Sequence, residues 1–294
     1  MAYSEKGVTA MIELQKAIDE MTLRITAILG SCAPSIYLYG SVALGDFKLG
    51  WSDIDILVLT QIPISDEQAN QLVGLRQTLL AEEPGNLFFR SFEGGMLSLS
   101  AFLTGEKDKV VYWGTSGERI TTRYGFDSFC MSELLDSGIL LYGRDVRELL
   151  TRPTYNNFKT DVRRHYETIR QNAQNTGRDL YSYGWLLDIC RCIYTLSTGK
   201  IIAKTPAGEW ALKEGICPCA DALVRALEVR KEPDKFKADV GTFDYAETLG
   251  TAVQRFADVL EKELEQRGDI DVQSNRPGTA TEQDNRLYAG QLCI

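Results

Sequence analysis

The stretch "YLYGSVALGDFKLGWSDIDILVLT", residues 37–60, constrains this chain more than any other. An apolar segment stops at Gly40-Ser41, loops out, and returns as a second apolar segment carrying Asp53 and Asp55. Residues two apart in a strand face the same side, so the two carboxylates project together while Ile54 and Ile56 turn to the core. Carboxylates in such a run are costly to desolvate unless something positive sits against them. At this spacing they suit one or two Mg²⁺ ions, which take oxygen ligands and bridge phosphates. Gly40 removes a side chain where phosphate must approach the backbone, and Ser41 adds hydroxyl and amide donors. The loop between lets both elements converge on one triphosphate. A calcium loop does not fit, because Ile54, Ile56, Leu57 and Val58 are the wrong company.

Strand and helix alternate around this segment. "TAMIELQKAIDEMTLRITAIL" has helical spacing of its apolar residues, and Ser65 caps a second helix that Pro84-Gly85 closes. "NLFFRSFEGGMLSL" reads as a strand interrupted at Gly94-Gly95, and "SGILLYGRDVRELL" as a short strand returning into a helix. After Pro153, a hinge position, the periodicity is helical almost throughout. The expected fold is an α/β N-terminal domain with a mixed sheet, followed by an all-α helical-bundle domain. The expected boundaries are 1–152, 153–267 and a polar, flexible tail over 268–294.

Forty-one acidic residues against 32 basic ones leave a formal net charge of −9. That argues against general nucleic-acid binding, which needs a basic footprint, and suits a cationic small molecule. No apolar run reaches transmembrane length, and the N-terminal residues lack the basic and apolar regions of a secretory signal. A cytoplasmic protein with no membrane partner is therefore expected. Nothing in the sequence sets an oligomeric state. The cysteines of "CRC" and "CPC" are too closely spaced for zinc knuckles. His165 is the only histidine and reads as a surface or satisfied side chain, which disfavours Ser-His-Asp or Cys-His catalysis.

The segment "LYGSVALGDFKLGWSDIDILVL" resembles the signature of the nucleotidyltransferase superfamily related to DNA polymerase β. "RCIYTLSTGKIIAKTPAGEWAL", residues 191–212, is similar to the C-terminal helical domain of streptomycin/spectinomycin adenylyltransferases, and "SGILLYGRDVRELL" resembles the segment joining their domains. This resemblance implies that Gly40 and Ser41 contact ATP phosphates and that Asp53 and Asp55 hold Mg²⁺. It implies a third carboxylate, matched by Glu93, that activates the acceptor hydroxyl. Arg191 and Lys204 match a basic pair that reaches ATP when the two domains close. For the acceptor, Trp113 matches a stacking tryptophan. Tyr181 falls at an acidic substrate-contact position, with Asp179 two residues away. The implied activity is transfer of AMP from ATP to a hydroxyl of a small cationic molecule, an aminoglycoside or aminocyclitol. The alternatives are another acceptor (a lincosamide, a metabolite or a protein) or a non-catalytic nucleotide-binding, antitoxin-like module.

Overall fold

The computed structural model describes residues 5–114 and 117–274, with side chains over 9–114 and 117–266. The chain divides into two compact units. The first comprises residues 1–47, 52–124 and 133–151, and the second residues 48–51, 125–132 and 152–294. The helical unit is continuous from Arg152, and two earlier segments also belong to it. Trp51 explains the first, because its indole is buried in the helical core with Tyr183 and Leu186. Phe129 explains the second, being buried in the same core and stacked on His165.

In the first unit the order is α1 (Glu5–Leu29), β1 (Ser35–Tyr39), α2 (Gly40–Ala43), β2 (Ile54–Thr60), α3 (Asp66–Glu82), β3 (Phe92–Ser98), α4 (Leu99–Thr104), β4 (Val110–Gly114) and β5 (Gly117–Thr121). The division between units falls within α5 (Ser128–Ser137), after which β6 (Ile139–Tyr142) completes the sheet. The strand order is β5-β4-β3-β2-β1-β6. Only β2 and β3 run parallel, so the sheet is mixed. The central strands are apolar because both faces are covered, as in any sheet flanked by helices. One face carries Ile36, Leu38, Ile56, Val58 and Met96, all buried. The helix α3 starts where sequence places it: Ser65 accepts from the Gln68 amide while the Gln68 side chain accepts from the Ser65 amide.

Two local expectations change. Strand β3 runs unbroken through Gly94-Gly95, which pair with Ile56 and Leu57 on one side and with Trp113 and Tyr112 on the other. A Cβ on Gly94 would overlap the Ile56 carbonyl, so glycine is there for close approach rather than for a break. After β6 the chain makes only a short 3₁₀ turn, Arg147–Leu149, not a longer helix.

The second unit contains α6 (Tyr155–Asn172), α7 (Gly184–Thr198), α8 (Lys204–Lys213), α9 (Ala220–Lys231), α10 (Pro233–Phe236), α11 (Val240–Glu247) and α12 (Gly250–Ser274). Thr154 opens α6 by a reciprocal cap with Asn157. The helix α7 is buried on nearly all sides, so its apolar residues form a continuous run rather than one stripe. Gly199 closes α7 in the left-handed conformation, φ 68°. The backbone of α12 stays helical to Ser274, past the tail boundary expected at Gly268, and the rest of that tail, 275–294, lies outside the described residues. No helix among the described residues is long and apolar enough to cross a membrane.

Candidate active site

The sheet brings its acids together by register. Asp55 pairs with Glu93 across the parallel β2/β3 ladder and with Tyr39 across the antiparallel β1/β2 ladder. Residues paired across adjacent strands share a face, so Asp55, Glu93 and Tyr39 lie side by side. Asp53 precedes β2, close enough for its charge to act on the Glu93 carboxyl. Gly40 begins α2 with φ +65°, and a Cβ there would overlap Asp55 Oδ2. Only glycine lets the chain turn this closely over the carboxylate. The Ser41 hydroxyl donates to the Asp53 carbonyl at 3.2 Å, tying the two ends of the motif to one another.

Glu93 is under electrostatic stress. Burial, then the negative charge of Asp53, pushes its carboxyl up to about 7, against the lowering effect of the hydrogen bond from Tyr112. The Tyr112 hydroxyl donates to Glu93 Oε1 at 2.8 Å. Tyr39 is fully buried and bonded to Tyr124, and burial drives its phenol well above the ordinary range. These three tyrosines were not singled out by sequence, because only the register shows that they flank the acids.

Asp53, Asp55 and Glu93 supply hard oxygen ligands, and a cation would relieve the repulsion that raises Glu93. Among the described residues no three such side chains form a ready-made metal cage. Mg²⁺ commonly takes one or two carboxylates and completes its shell with water and phosphate oxygens, so the pair Asp53 and Asp55 fits it.

Trp113 is a correction. It lies one residue from Tyr112 on β4 and so faces the opposite side of the sheet, fully buried. Its indole N–H donates to the Leu72 carbonyl of α3 at 2.9 Å, and the Arg76 guanidinium sits 5.9 Å from the ring. Arg76 is itself fixed by Glu118 at 2.7 Å. No face of Trp113 is open to stack on an acceptor.

The helical unit places the remaining expected residues. Arg191, on α7, donates from Nε to the Ile202 carbonyl at 3.1 Å and lies over the Phe129 ring at 5.6 Å. Lys204 is the first residue of α8, and its Nζ is 3.1 Å from Asp188 Oδ1. Burial lowers its pKa, Asp188 works against that, and the charges of Arg230 and Arg191 add to the lowering. Lys204 thus pairs with Asp188 while feeling the positive charge of Arg191 and Arg230. Asp179 caps a 3₁₀ turn, accepting from the Ser182 amide at 2.8 Å, so its carboxylate has a local structural task. Tyr181 is 60% exposed, with its ring 6.4 Å from that of Trp51. His165 is the satisfied side chain expected, but a buried one, bonded to Asp127 at 3.2 Å.

Residues 31–87 match the family model of the nucleotidyltransferase domain, and residues 154–259 match that of the aminoglycoside adenylyltransferase C-terminal domain. The fold is similar to that of the spectinomycin adenyltransferase AAD(9) from Enterococcus faecialis, whose crystal structure holds ATP and spectinomycin. That similarity has a TM-score of 0.63 at 17% sequence identity, covering 84% of this chain and 99% of that one. The chain belongs to the nucleotidyltransferase superfamily and is an enzyme of that class. Within the superfamily it lies close to the aminoglycoside adenylyltransferases.

Proposed function

We propose that the protein transfers AMP from ATP to a hydroxyl of an aminoglycoside or aminocyclitol in a Mg²⁺-dependent reaction. The observation that carries this reading is the register of β2 against β3, which sets Glu93 beside Asp55 and in contact with Asp53. Asp53 and Asp55 would hold Mg²⁺, which when bound supplies positive charge to the phosphate oxygens. Glu93, raised by burial and by Asp53, accepts the proton of the acceptor hydroxyl. The oxygen then attacks the α-phosphorus in line, the bond to the bridging oxygen breaks, and pyrophosphate leaves. Ser41 offers backbone N–H to the phosphates, with its hydroxyl engaged on Asp53. Arg191 and Lys204 are assigned to the nucleotide phosphates, as the match of residues 154–259 to the adenylyltransferase C-terminal domain supports. The match of residues 154–259 and the spectinomycin held by AAD(9) support the acceptor class.

The test is pyrophosphate release with Mg²⁺-ATP across spectinomycin, streptomycin, other aminoglycosides and lincosamides, with buffer alone as blank. Turnover with an aminocyclitol or aminoglycoside is the expected outcome. Release with a lincosamide alone would move the acceptor class. No release with any acceptor, alongside tight ATP binding, would favour a nucleotide-binding module.

A further inference from the structure

Beside Glu93, two glycines make room for two tyrosine rings. A Cβ on Gly95 would overlap the Tyr124 ring, and one on Gly114 would overlap the Tyr112 hydroxyl. Gly114 is not among the residues with positive φ, so what it supplies at this position is space. Tyr112 is buried, with the Arg119 guanidinium 4.3 Å from its ring centre and the Tyr124 ring centre at 6.5 Å. Its ring is packed and its hydroxyl has a defined target, Glu93 Oε1 at 2.8 Å. A glutamate carboxylate turns freely about its last torsion unless something holds it. A base must present one oxygen to one proton, and ordering it beforehand removes an entropic cost from the reaction step.

We propose that Tyr112 is a positioning residue for the transfer: its hydroxyl fixes the Glu93 carboxylate so that the acceptor meets one set orientation. The proposal rests on the reading of Glu93 as the base. Gly114 belongs to the same device, since any larger residue would displace the hydroxyl that does the fixing.

Full-length Tyr112→Phe, Gly114→Ala, Glu93→Gln and the double variant Tyr112→Phe/Glu93→Gln test it, using Mg²⁺-ATP and spectinomycin as first acceptor. Tyr112→Phe keeps the ring over Arg119 and should lower kcat by on the order of 10-fold or more, leaving the KM for ATP unchanged. Gly114→Ala should do the same. The double variant should be no slower than Glu93→Gln, because a residue that acts through Glu93 has nothing to position once the base is gone. Crystal structures of the wild type and Tyr112→Phe give a readout that needs no acceptor. Glu93 should hold one conformer on Tyr112 in the first and turn away or split in the second. An unmoved Glu93 in Tyr112→Phe, or a loss that multiplies with that of Glu93→Gln, overturns the positioning role. Full activity in Glu93→Gln would instead overturn the base assignment beneath it.

Discussion

In the α/β unit Glu93 is buried beside Asp53, a like charge, and its carboxyl is driven up to about 7 by burial and then by that neighbour. In the helical unit His165 is buried against Asp127, an opposite charge, and the outcome reverses. Burial opposes the imidazolium, yet the hydrogen bond to Asp127 and the contact with Cys192 outweigh it and raise its pKa to about 10. Asp127 is lowered in turn, against its own burial, by the hydrogen bond to His165. Both regions desolvate ionisable side chains. One leaves them in conflict, poised for a cation and a proton to arrive, and the other resolves the conflict internally. Conflict of the first kind marks a functional site more often than a structural one.

The largest effect should come from removing a charge on the conflicted side. Asp53→Asn or Asp55→Asn keeps shape and lessens repulsion, so thermal stability should hold or rise. Adenylyl transfer should fall on the order of 10³-fold, about 4 kcal/mol of transition-state stabilisation. Parallel melting curves and pyrophosphate release measure both. Variants that unfold early and transfer normally would place these acids with the internally paired groups, and the contrast between the two regions would collapse.

On the resolved side the effects should be reversed. His165→Gln leaves buried Asp127 with only the Arg164 guanidinium, 3.7 Å away, so stability should fall by up to about 3 kcal/mol with no change in ATP affinity per folded molecule. The pH dependence follows from the direction of the shift. The folded pKa, about 10, lies above the ordinary 6.5, so the contribution is fully present below about 6.5 and fades as pH rises through about 10. The gap in denaturation free energy between wild type and His165→Gln should therefore be at its full size just below pH 6.5, where Asp127 is ionised, and close toward pH 10. A gap that widens with pH would mean a neutral imidazole, and the pairing with Asp127 would have to be redrawn.

Gly40, Ser41, Asp53 and Asp55 were legible in sequence because their relation is local: a positive-φ glycine, a hydroxyl and a two-residue strand period sit within one short segment. Glu93 was reachable only through a family pattern, since its partnership with Asp55 depends on the β2/β3 register. The choice between Trp113 and Tyr112 shows the limit. They are adjacent in sequence, and a one-residue step along a strand reverses the face, so register alone decides which ring joins the acids. Gly94-Gly95 misled for a related reason. Glycine in a strand signals either a break or a close approach, and only the Ile56 carbonyl and the Tyr124 ring tell which. The pairing of His165 with Asp127 spans 38 residues and leaves no periodic trace. Helix periodicity is legible in α6, whose amphipathic spacing is a local property too, whereas α7 is apolar nearly all round.

Lys204 sits between the two behaviours, and the smallest effect should sort it. Its ammonium faces Asp188 Oδ1 at 3.1 Å, while Asp188 Oδ2 is buried with no hydrogen-bond partner. The charges of Arg191 and Arg230 also act on this ammonium. If it serves the nucleotide, Lys204→Met should weaken Mg²⁺-ATP binding by about 1.5–3 kcal/mol, the worth of a charge-assisted hydrogen bond. If Lys204 only neutralises Asp188, the same change should lower the melting temperature and leave ATP affinity alone. Adding Asp188→Asn separates the cases, because it removes the stranded carboxylate and should restore stability in both. Calorimetric titration at fixed salt then reads the difference. Affinity that stays low in Asp188→Asn/Lys204→Met assigns the lysine to ATP, and affinity equal to wild type assigns it to the fold. The first result would give the helical unit a nucleotide contact of its own, made by a lysine that also holds Asp188.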